Sequence, residues 1–292
     1  MIVYLFLCFS ISLMTLNGVF LHKFANRGLK NVGDVFLFNG TMSLVWSVAL
    51  LVLAMFTGGL QFNSQTLAFS VAYAIILCGY QLFKGLALSN GPISMTTLIS
   101  NCAFLITTAY AYFIEGEPVT LIKLIGIVLL IISLFLCIYT KLDNKVTFKW
   151  IIFSVLLFLS GGSVGVIYKI FGKSSVSQNA TSMVFFAALI SAVTFLALAF
   201  TTNKKRQLPT PKLSKTAVKF AVICGITGCT YIRLNLSLSA LIPSVIFFPL
   251  CNGLTVILSA IVGWQYFKEK LMPQQFVGIG LGMVAIVLIG CF

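Results

Sequence analysis

The sequence has very little charge. Only 8% of its 292 residues are charged and 60% are hydrophobic, whereas an average soluble domain is about a quarter charged and about half apolar. The apolar residues come in runs of about twenty, which is the length of helix that crosses a bilayer. The polar segments between the runs are too short to fold separately. This composition excludes a soluble protein and indicates one membrane domain.

Acidic residues are scarcer than basic ones, with five Asp and Glu against 19 Lys and Arg. All five carboxylates lie near the ends of the apolar runs: Asp34, Glu115, Glu117, Asp143 and Glu269. Small antiporters for cationic drugs use a carboxylate in the middle of the membrane, where desolvation lets it exchange a proton for a cation. The sequence has no candidate for that mechanism, although a carboxylate nearer the interface could still serve.

Several motifs that carry chemistry are also missing. The sequence has no P-loop, no Rossmann fingerprint and no His-Glu-x-x-His, and its eight cysteines lack Cys-x-x-Cys spacing. ATP-driven pumping, zinc hydrolysis and a disulfide framework therefore have no support. We expect no catalytic residue, no metal site and no cofactor.

Ten apolar runs predict an all-α membrane protein with ten transmembrane helices. Turn and breaker residues such as Gly58-Gly59 and Asn90-Gly91-Pro92 separate the runs. The expected spans are 2–21, 33–57, 67–88, 93–113, 120–140, 150–171, 179–201, 216–239, 243–266 and 272–291.

The two halves of the chain resemble each other, which predicts five-helix repeats at 1–141 and 149–292. Glu117 and Glu269 each stand nine residues before a glycine, Gly126 and Gly278 respectively. Two further pairs match: Pro92 with Pro243 before the fourth and ninth spans, and Gly18-Val19 with Gly165-Val166 in the first and sixth. Because five spans is an odd number, the second repeat must cross the membrane in the opposite direction. Such inverted repeats are a recurring transporter architecture.

These residues also carry a resemblance to a known family. Ala87-Leu88-Ser89-Asn90-Gly91-Pro92, Gly116-Glu117-Pro118 and Phe267-Lys268-Glu269-Lys270 with its glycine-rich helix resemble ten-helix EamA-like members of the drug/metabolite transporter superfamily. The resemblance covers the whole chain. It implies transport of a small solute through a cavity lined by helices one, three, four, six, eight and nine, and it says little about the cargo.

The basic residues indicate an orientation, and they do not indicate nucleic-acid binding. Most of them lie between the apolar runs, and they do not cluster on one folded face. Fifteen of the 19 follow odd-numbered spans, and Lys and Arg are retained in cytoplasmic loops. We therefore expect a multi-pass protein of the plasma membrane with both termini outside, although relatives in the resembling family are usually drawn with both termini inside.

Two of the basic residues within apolar runs are candidates for binding cargo. Arg233 is well inside the eighth span and Lys84 is near the end of the third, and these spans are repeat partners. Charge in lipid is costly and usually faces a cavity or a partner, and Arg and Lys are natural partners of carboxylate and phosphate groups. The alternative is that their long stems carry the charges to an interface.

Further polar side chains within the spans are candidates for contacts with cargo: Asn17, Gln81, Asn101, Asn252, Tyr80 and Tyr231. Amides within a membrane also join helices by hydrogen bonds, which is their commoner role. Tyrosines also form belts at the membrane interface. Both interpretations stay open for these residues.

Glycines form two patterns that could carry either function or packing. Gly161-Gly162-Ser163-Val164-Gly165 matches the Gly-x-Ser-x-Gly motif of serine hydrolases, but the only histidine is His22, at the end of the first span. Gly126, Gly278, Gly280 and Gly282 suit close helix contacts or a homodimer interface. We expect packing in both cases.

The leading hypothesis is a secondary transporter of small organic solutes by alternating access, with a cargo that has an anionic or zwitterionic group. Its partners would be the small-molecule substrate and the lipid bilayer. Three alternatives remain: an exporter of cationic or hydrophobic drugs, a receptor or scaffold that does not transport, and an intramembrane hydrolase that uses Ser163.

Overall fold

The computed structural model describes residues 2–25, 32–56, 58–91, 93–138, 147–205, 210, 212–267 and 272–291. Pro92, Asp143 and the segment Lys268-Glu269-Lys270 lie outside these residues. The described residues form eleven α-helices and one 3-10 turn, Ser177–Asn179, and none of them lies in a strand. The helices are α1 Ile2–Ala25, α2 Val32–Phe56, α3 Ser64–Asn90, α4 Ile93–Cys102, α5 Phe104–Phe113, α6 Leu121–Ile138, α7 Phe148–Gly172, α8 Ala180–Lys205, α9 Lys215–Leu241, α10 Ser244–Phe267 and α11 Pro273–Cys291.

The helices match the ten predicted spans and confirm the all-α membrane fold. Eight of the described helices are long and apolar enough to cross a bilayer, and α6 is a shorter apolar helix. Eighteen residues of α6 rise about 27 Å, which is close to the thickness of the hydrocarbon core, about 30 Å. Large apolar side chains such as Phe56, Ile75 and Val287 are exposed on the helices, as expected for surfaces that face lipid.

The fourth span differs from the prediction of one helix over 93–113. It consists of α4 and α5, which are separated by a turn at Ala103. Each piece has ten residues and rises only about 15 Å, so that both are needed to cross the membrane. The amide of Asn101 donates to the carbonyl of Thr97, four residues earlier, at 2.8 Å. Such side-chain bonds compete with the helix backbone.

Helices of the chain form two compact units. The first contains Met1–Cys78 and Lys173–Ser237, and the second contains Gly79–Gly172 and Leu238–Phe292. Each unit therefore combines elements of both predicted repeats, and α3 and α9 contribute to both units. The repeat bounds 1–141 and 149–292 stay a sequence prediction, since the units follow contacts in space and not position along the chain.

In the first unit, glycines let α2 approach two other helices closely. A Cβ atom on Gly40 would lie 3.0 Å from Leu196 Cδ2 of α8. A Cβ atom on Gly225 of α9 would lie 2.6 Å from Val45 Cγ1 of α2. Lipid is as apolar as the helix surfaces, so the hydrophobic effect does not drive helices together in a membrane. Close van der Waals packing does so instead, and small residues at these positions allow it.

In the second unit, α6 packs along α11, and this contact uses the glycines that were noted in the sequence. A Cβ atom on Gly126 would lie 2.8 Å from Ile289 Cγ1, and one on Gly278 would lie 2.9 Å from Leu136 Cβ. Ser133 donates to the carbonyl of Gly278 at 2.7 Å. In contrast, a Cβ on Gly280 would meet nothing within 4 Å. A Cβ on Gly282 would lie 2.5 Å from Ile257 Cδ1 of α10. Three of these four glycines thus serve helix packing within the unit.

Candidate functional site

Arg233 lies within α9, eight residues before the helix ends, which places it about 12 Å from that end. The side chain is half-buried. Its Nε donates to Thr181 Oγ1 at 2.9 Å, and its Nη1 donates to Ser237 Oγ. Within the described residues, no carboxylate forms an ion pair with it. Two hydroxyl groups thus hold the guanidinium in place without neutralising its charge.

A polar cavity of about 760 Å³ lies beside Thr181 in the first unit. The connection between α2 and α3 forms one wall, and the segment that begins α8 forms the other; the backbone N–H of Gln61 joins them by donating to Ser182 Oγ at 2.9 Å. Amide and hydroxyl groups dominate the lining, which consists of Gly59, Gln61, Phe62, Asn63, Ser64, Gln178, Asn179, Thr181 and Ser182. Thr181 therefore links the cavity wall to Arg233.

Asn17 joins two helices of the first unit. Its amide nitrogen donates to the carbonyl of Cys224 at 2.8 Å and to Thr227 Oγ1 at 3.0 Å, and the side chain is buried. A second amide on α9 has a similar role, because Asn235 accepts a hydrogen bond from Ser10 at 2.6 Å. The structure thus favours the helix-joining interpretation for Asn17 over contact with cargo.

Tyr80, Gln81 and Lys84 lie on the part of α3 that belongs to the second unit. The hydroxyls of Tyr80 and Ser100 share a hydrogen bond of 2.7 Å. Lys84 Nζ lies 5.6 Å from the centre of the Tyr80 ring, within the range of a cation–π contact. Gln81 Oε1 is buried and accepts no hydrogen bond from the described residues. Lys84 is half-buried, and its identified contact is the one with the Tyr80 ring.

Asn101 and Asn252 make the same local contact in repeat-related helices. Asn101 donates to the carbonyl of Thr97 at 2.8 Å, and Asn252 donates to the carbonyl of Phe248 at 2.9 Å. Each acceptor is four residues earlier on the same helix. Both side chains are half-buried. The shared geometry supports the sequence repeat. Each side-chain amide has a second hydrogen that does not take part in this bond.

The remaining tyrosine, Tyr231, is half-buried on α9, two residues before Arg233. The predicted site residues divide between the units: Asn17, Tyr231 and Arg233 belong to the first, and Tyr80, Gln81, Lys84, Asn101 and Asn252 belong to the second. Within the first unit, Arg233 with its two hydroxyl partners is the strongest candidate, because it combines an intramembrane charge with a neighbouring polar cavity.

The second unit also contains a buried ion-pair cluster that was not predicted from the sequence. Lys169 Nζ lies 2.7 Å from Glu117 Oε1 and 3.6 Å from Glu115 Oε2, and the three side chains are 7%, 14% and 5% exposed. Glu117 Oε2 also accepts the backbone N–H of Val245 at 3.2 Å. The available signal was Lys169 itself, which lies within the predicted sixth span, where a charge requires a partner.

The surroundings of Glu117 favour its ionised form. Burial raises the pKa of its carboxyl group, but hydrogen bonds from Lys169 and from two N–H groups at the start of α10, together with the Lys169 charge, hold that pKa below its usual value. The position is also favourable because the N-terminus of a helix attracts negative charge. Glu117 therefore ties the connection between α5 and α6 to both α7 and α10.

The Gly-x-Ser-x-Gly segment serves packing in α7. A Cβ atom on Gly162 would lie 2.9 Å from the carbonyl oxygen of Ala103, and one on Gly165 would lie 2.9 Å from Phe248 Cε1. The Ser163 hydroxyl donates to the carbonyl of Leu159 on its own helix at 2.8 Å. The glycines therefore allow α7 to approach α5 and α10, as expected.

Comparison with known proteins adds to this geometry. A profile described as the EamA-like transporter family matches residues 1–139 and 148–291. The chain belongs to the EamA-like transporter family. No curated protein matches it. A solved structure described as "Crystal structure of protein" is 12% identical and superimposes with a TM-score of 0.78, covering 99% of this chain and 96% of that one. At that identity the likeness shows the fold alone.

Membership in the EamA-like family makes the protein a multi-pass membrane transporter of small solutes. It also agrees with the drug/metabolite transporter resemblance of the sequence. The family profile matches two consecutive stretches of the chain, and the repeat bounds 1–141 and 149–292 stay a sequence prediction. The family concerns transport and not enzymatic chemistry, in keeping with the packing role of the Gly-x-Ser segment.

Proposed function

We propose that the protein is a secondary active transporter whose cargo is a small organic solute with a carboxylate, phosphate or zwitterionic group. Arg233 carries this proposal. It is a charge within a membrane helix, and its hydrogen-bond partners among the described residues are the hydroxyl groups of Thr181 and Ser237. A guanidinium group has five N–H donors in a planar fork that matches carboxylate and phosphate.

The cavity beside Thr181 supports the same cargo class. Its walls contribute side-chain amides and hydroxyls, which can donate hydrogen bonds to an anion or to the polar remainder of a metabolite. An apolar drug would leave these groups without partners, which is costly. Of the three carboxylates among the described residues, Glu115 and Glu117 pair with Lys169, and Asp34 accepts the backbone N–H of Lys212. None of the three forms an ion pair with Arg233, so a cationic cargo lacks an obvious partner beside it.

Alternating access is the mechanism that the duplicated sequence supports. Inverted repeats can exchange conformations, which exposes a site first to one side and then to the other. Without an ATP-binding motif in the sequence, a solute or ion gradient or an exchange reaction supplies the energy. Lys84, on the repeat partner of α9, is the second candidate for holding an anionic group.

The first test measures thermal unfolding of the detergent-purified protein with organic acids, phosphorylated metabolites, amino acids, amines and cationic drugs. A ligand that binds only the folded state stabilises it by about 2.7 kcal/mol at a concentration of 100 Kd. We expect stabilisation by an anionic or zwitterionic compound, its loss in Arg233→Gln, and partial retention in Arg233→Lys. The matched control is Lys219→Gln, because Lys219 is an exposed residue on the same helix.

Uptake of the stabilising compound into liposomes then separates transport from binding alone. Accumulation that disappears in Arg233→Gln supports the proposal, whereas binding without accumulation favours a receptor. Stabilisation by cationic drugs alone, or by anions to the same extent in Arg233→Gln and the parent protein, would refute the anionic cargo class.

We further propose that the protein resides in the plasma membrane with both termini outside. The concentration of Lys and Arg after odd-numbered spans supports this orientation. A protease-sensitive tag at the C-terminus, digested in intact cells, tests it. Resistance of the tag in intact cells and cleavage in lysed cells would contradict the proposal.

A further inference from the structure

Two membrane spans of the second unit, the fourth and the ninth, each contain an irregular point in the helix. In the fourth, α4 and α5 meet at Ala103, which keeps helical dihedral angles (φ −58°, ψ −20°) but accepts the N–H of Ile106 only three residues later, at 3.2 Å. Such a 3-10 turn within a helix often marks a hinge. The ninth, α10, contains Pro249 only five residues after it begins. Proline has no N–H for the carbonyl four residues earlier and its ring crowds that carbonyl, so it weakens the helix at this point. Both spans therefore have a joint inside the membrane.

The buried ion-pair cluster contacts α5, which follows Ala103, and the first turn of α10, which precedes Pro249. Glu115 and Glu117 directly follow α5, the second piece of the fourth span. The N–H of Val245, which Glu117 accepts, is in the first turn of α10, before Pro249. Lys169 contacts both carboxylates from α7, which is continuous from Phe148 to Gly172. The cluster thus fastens two jointed segments to one continuous helix.

We propose that Lys169, Glu115 and Glu117 form an ion-pair lock, which holds α5 and the first turn of α10 against α7 in this conformation and opens when those segments pivot at Ala103 and Pro249. This inference rests on the proposed transport cycle, which requires a second conformation. Packed interfaces are bistable and not continuously deformable. One lysine serves both carboxylates, so its withdrawal releases the two connections together.

The alternative is a passive contact that stabilises the fold and never opens. A lock and a passive contact differ in which residues become more exposed to solvent when the ion pairs are broken. An opened lock exposes residues beside the two joints, whereas a lost structural contact loosens the unit as a whole or has no local effect. Native cysteines report on both joints: Cys102 precedes Ala103, and Cys251 follows Pro249 by two residues and is 2% exposed.

The experiment measures the rate at which N-ethylmaleimide alkylates each native cysteine in membranes, by mass spectrometry of the modified peptides. Cys224, buried in the first unit, is the internal standard. In Lys169→Gln we expect alkylation of Cys102 and Cys251 to rise at least about tenfold, because labelling follows the population of the open form and a broken buried pair shifts it by more than that factor. Cys224 should be unchanged.

Two variants control for charge and position. Lys169→Arg keeps the positive charge and should label like the parent protein. Lys149→Gln, an exposed position at the start of the same helix, should also do so. If Lys169→Gln fails to reach the membrane, Glu117→Gln takes its place, because it breaks the shorter pair and keeps Lys169 beside Glu115.

Unchanged labelling of Cys102 and Cys251, or an equal increase at all three cysteines, would overturn the lock. The measurement uses no transported solute, so it separates the two proposals. A local increase stands even if the cargo class proves wrong. Unchanged rates together with a positive Arg233 result would reject the lock and keep the transporter.

Discussion

Gly165 and Gly18 occupy matching places in the two repeats, yet we predict opposite effects when each is changed to alanine. A Cβ atom on Gly165 would lie 2.8 Å from Thr107 Cγ2 and 2.9 Å from Phe248 Cε1. A Cβ atom on Gly18 would meet nothing within 4 Å. Gly165→Ala should therefore destabilise the protein, whereas Gly18→Ala should be neutral or slightly stabilising.

The size of the effect follows from the contacts of Gly165. Carbon atoms pack best at about 3.5–4.0 Å, so that the new methyl group overlaps two neighbours, and such overpacking costs about 1–3 kcal/mol. Rotating Thr107 away breaks its 3.0 Å bond to the carbonyl of Gly162, which adds about 0.5–1.5 kcal/mol. Alanine regains up to about 1 kcal/mol of helix propensity. The expected net loss is about 1–3 kcal/mol.

Thermal unfolding in detergent, followed by tryptophan fluorescence, measures the difference. An unfolding entropy of about 2.1 cal/mol/K per residue gives about 0.6 kcal/mol/K for this chain, so Gly165→Ala should lower Tm by about 2–5 °C. Gly18→Ala should raise Tm by at most about 2 °C. Equal Tm values for Gly165→Ala and the parent, or an equal fall in both variants, would refute the packing argument.

Two further predictions concern polar contacts. The folded protein lowers the pKa of Glu117, so the ionised side chain contributes its full stabilisation above the ordinary pKa of about 4.5. This contribution is lost as the pH falls through the lower folded-state pKa. The difference in Tm between the parent and Glu117→Gln should therefore narrow below about pH 4.5, and a difference independent of pH would contradict this. A double-mutant cycle of Asn17→Ala and Thr227→Val should give a coupling free energy of about 0.6 kcal/mol, typical of hydrogen bonds between membrane helices, whereas zero coupling would reject the helix-joining role.

Much of the site could not be derived from the sequence, for a definite reason. The partners of its polar groups are distant along the chain: Asn17 meets residues about 210 positions later, and Glu117 meets Val245, 128 positions later. No local pattern encodes such pairs. Lys169 was visible as an intramembrane charge, but its two carboxylate partners became evident only when α5, α7 and α10 were placed side by side.

The opposite surroundings of Gly18 and Gly165 have the same origin. Each depends on which helix lies opposite, and the sequence presents both glycines in the same Gly-Val context. Arg233 was identified as a candidate from its position within an apolar run. Its hydroxyl partners and its link through Thr181 to a polar cavity required the fold.

The sequence by itself determined that the chain is helical, crosses a membrane about ten times, and repeats itself in inverted order. These properties depend on the length of apolar runs and on the cost of an unpaired backbone in lipid, which are local. Tertiary structure alone decided which glycines are crowded, which amides join helices, and that each unit combines elements from both repeats. Those outcomes depend on close packing between segments far apart in the chain, because van der Waals contacts and hydrogen bonds act only over a few ångströms.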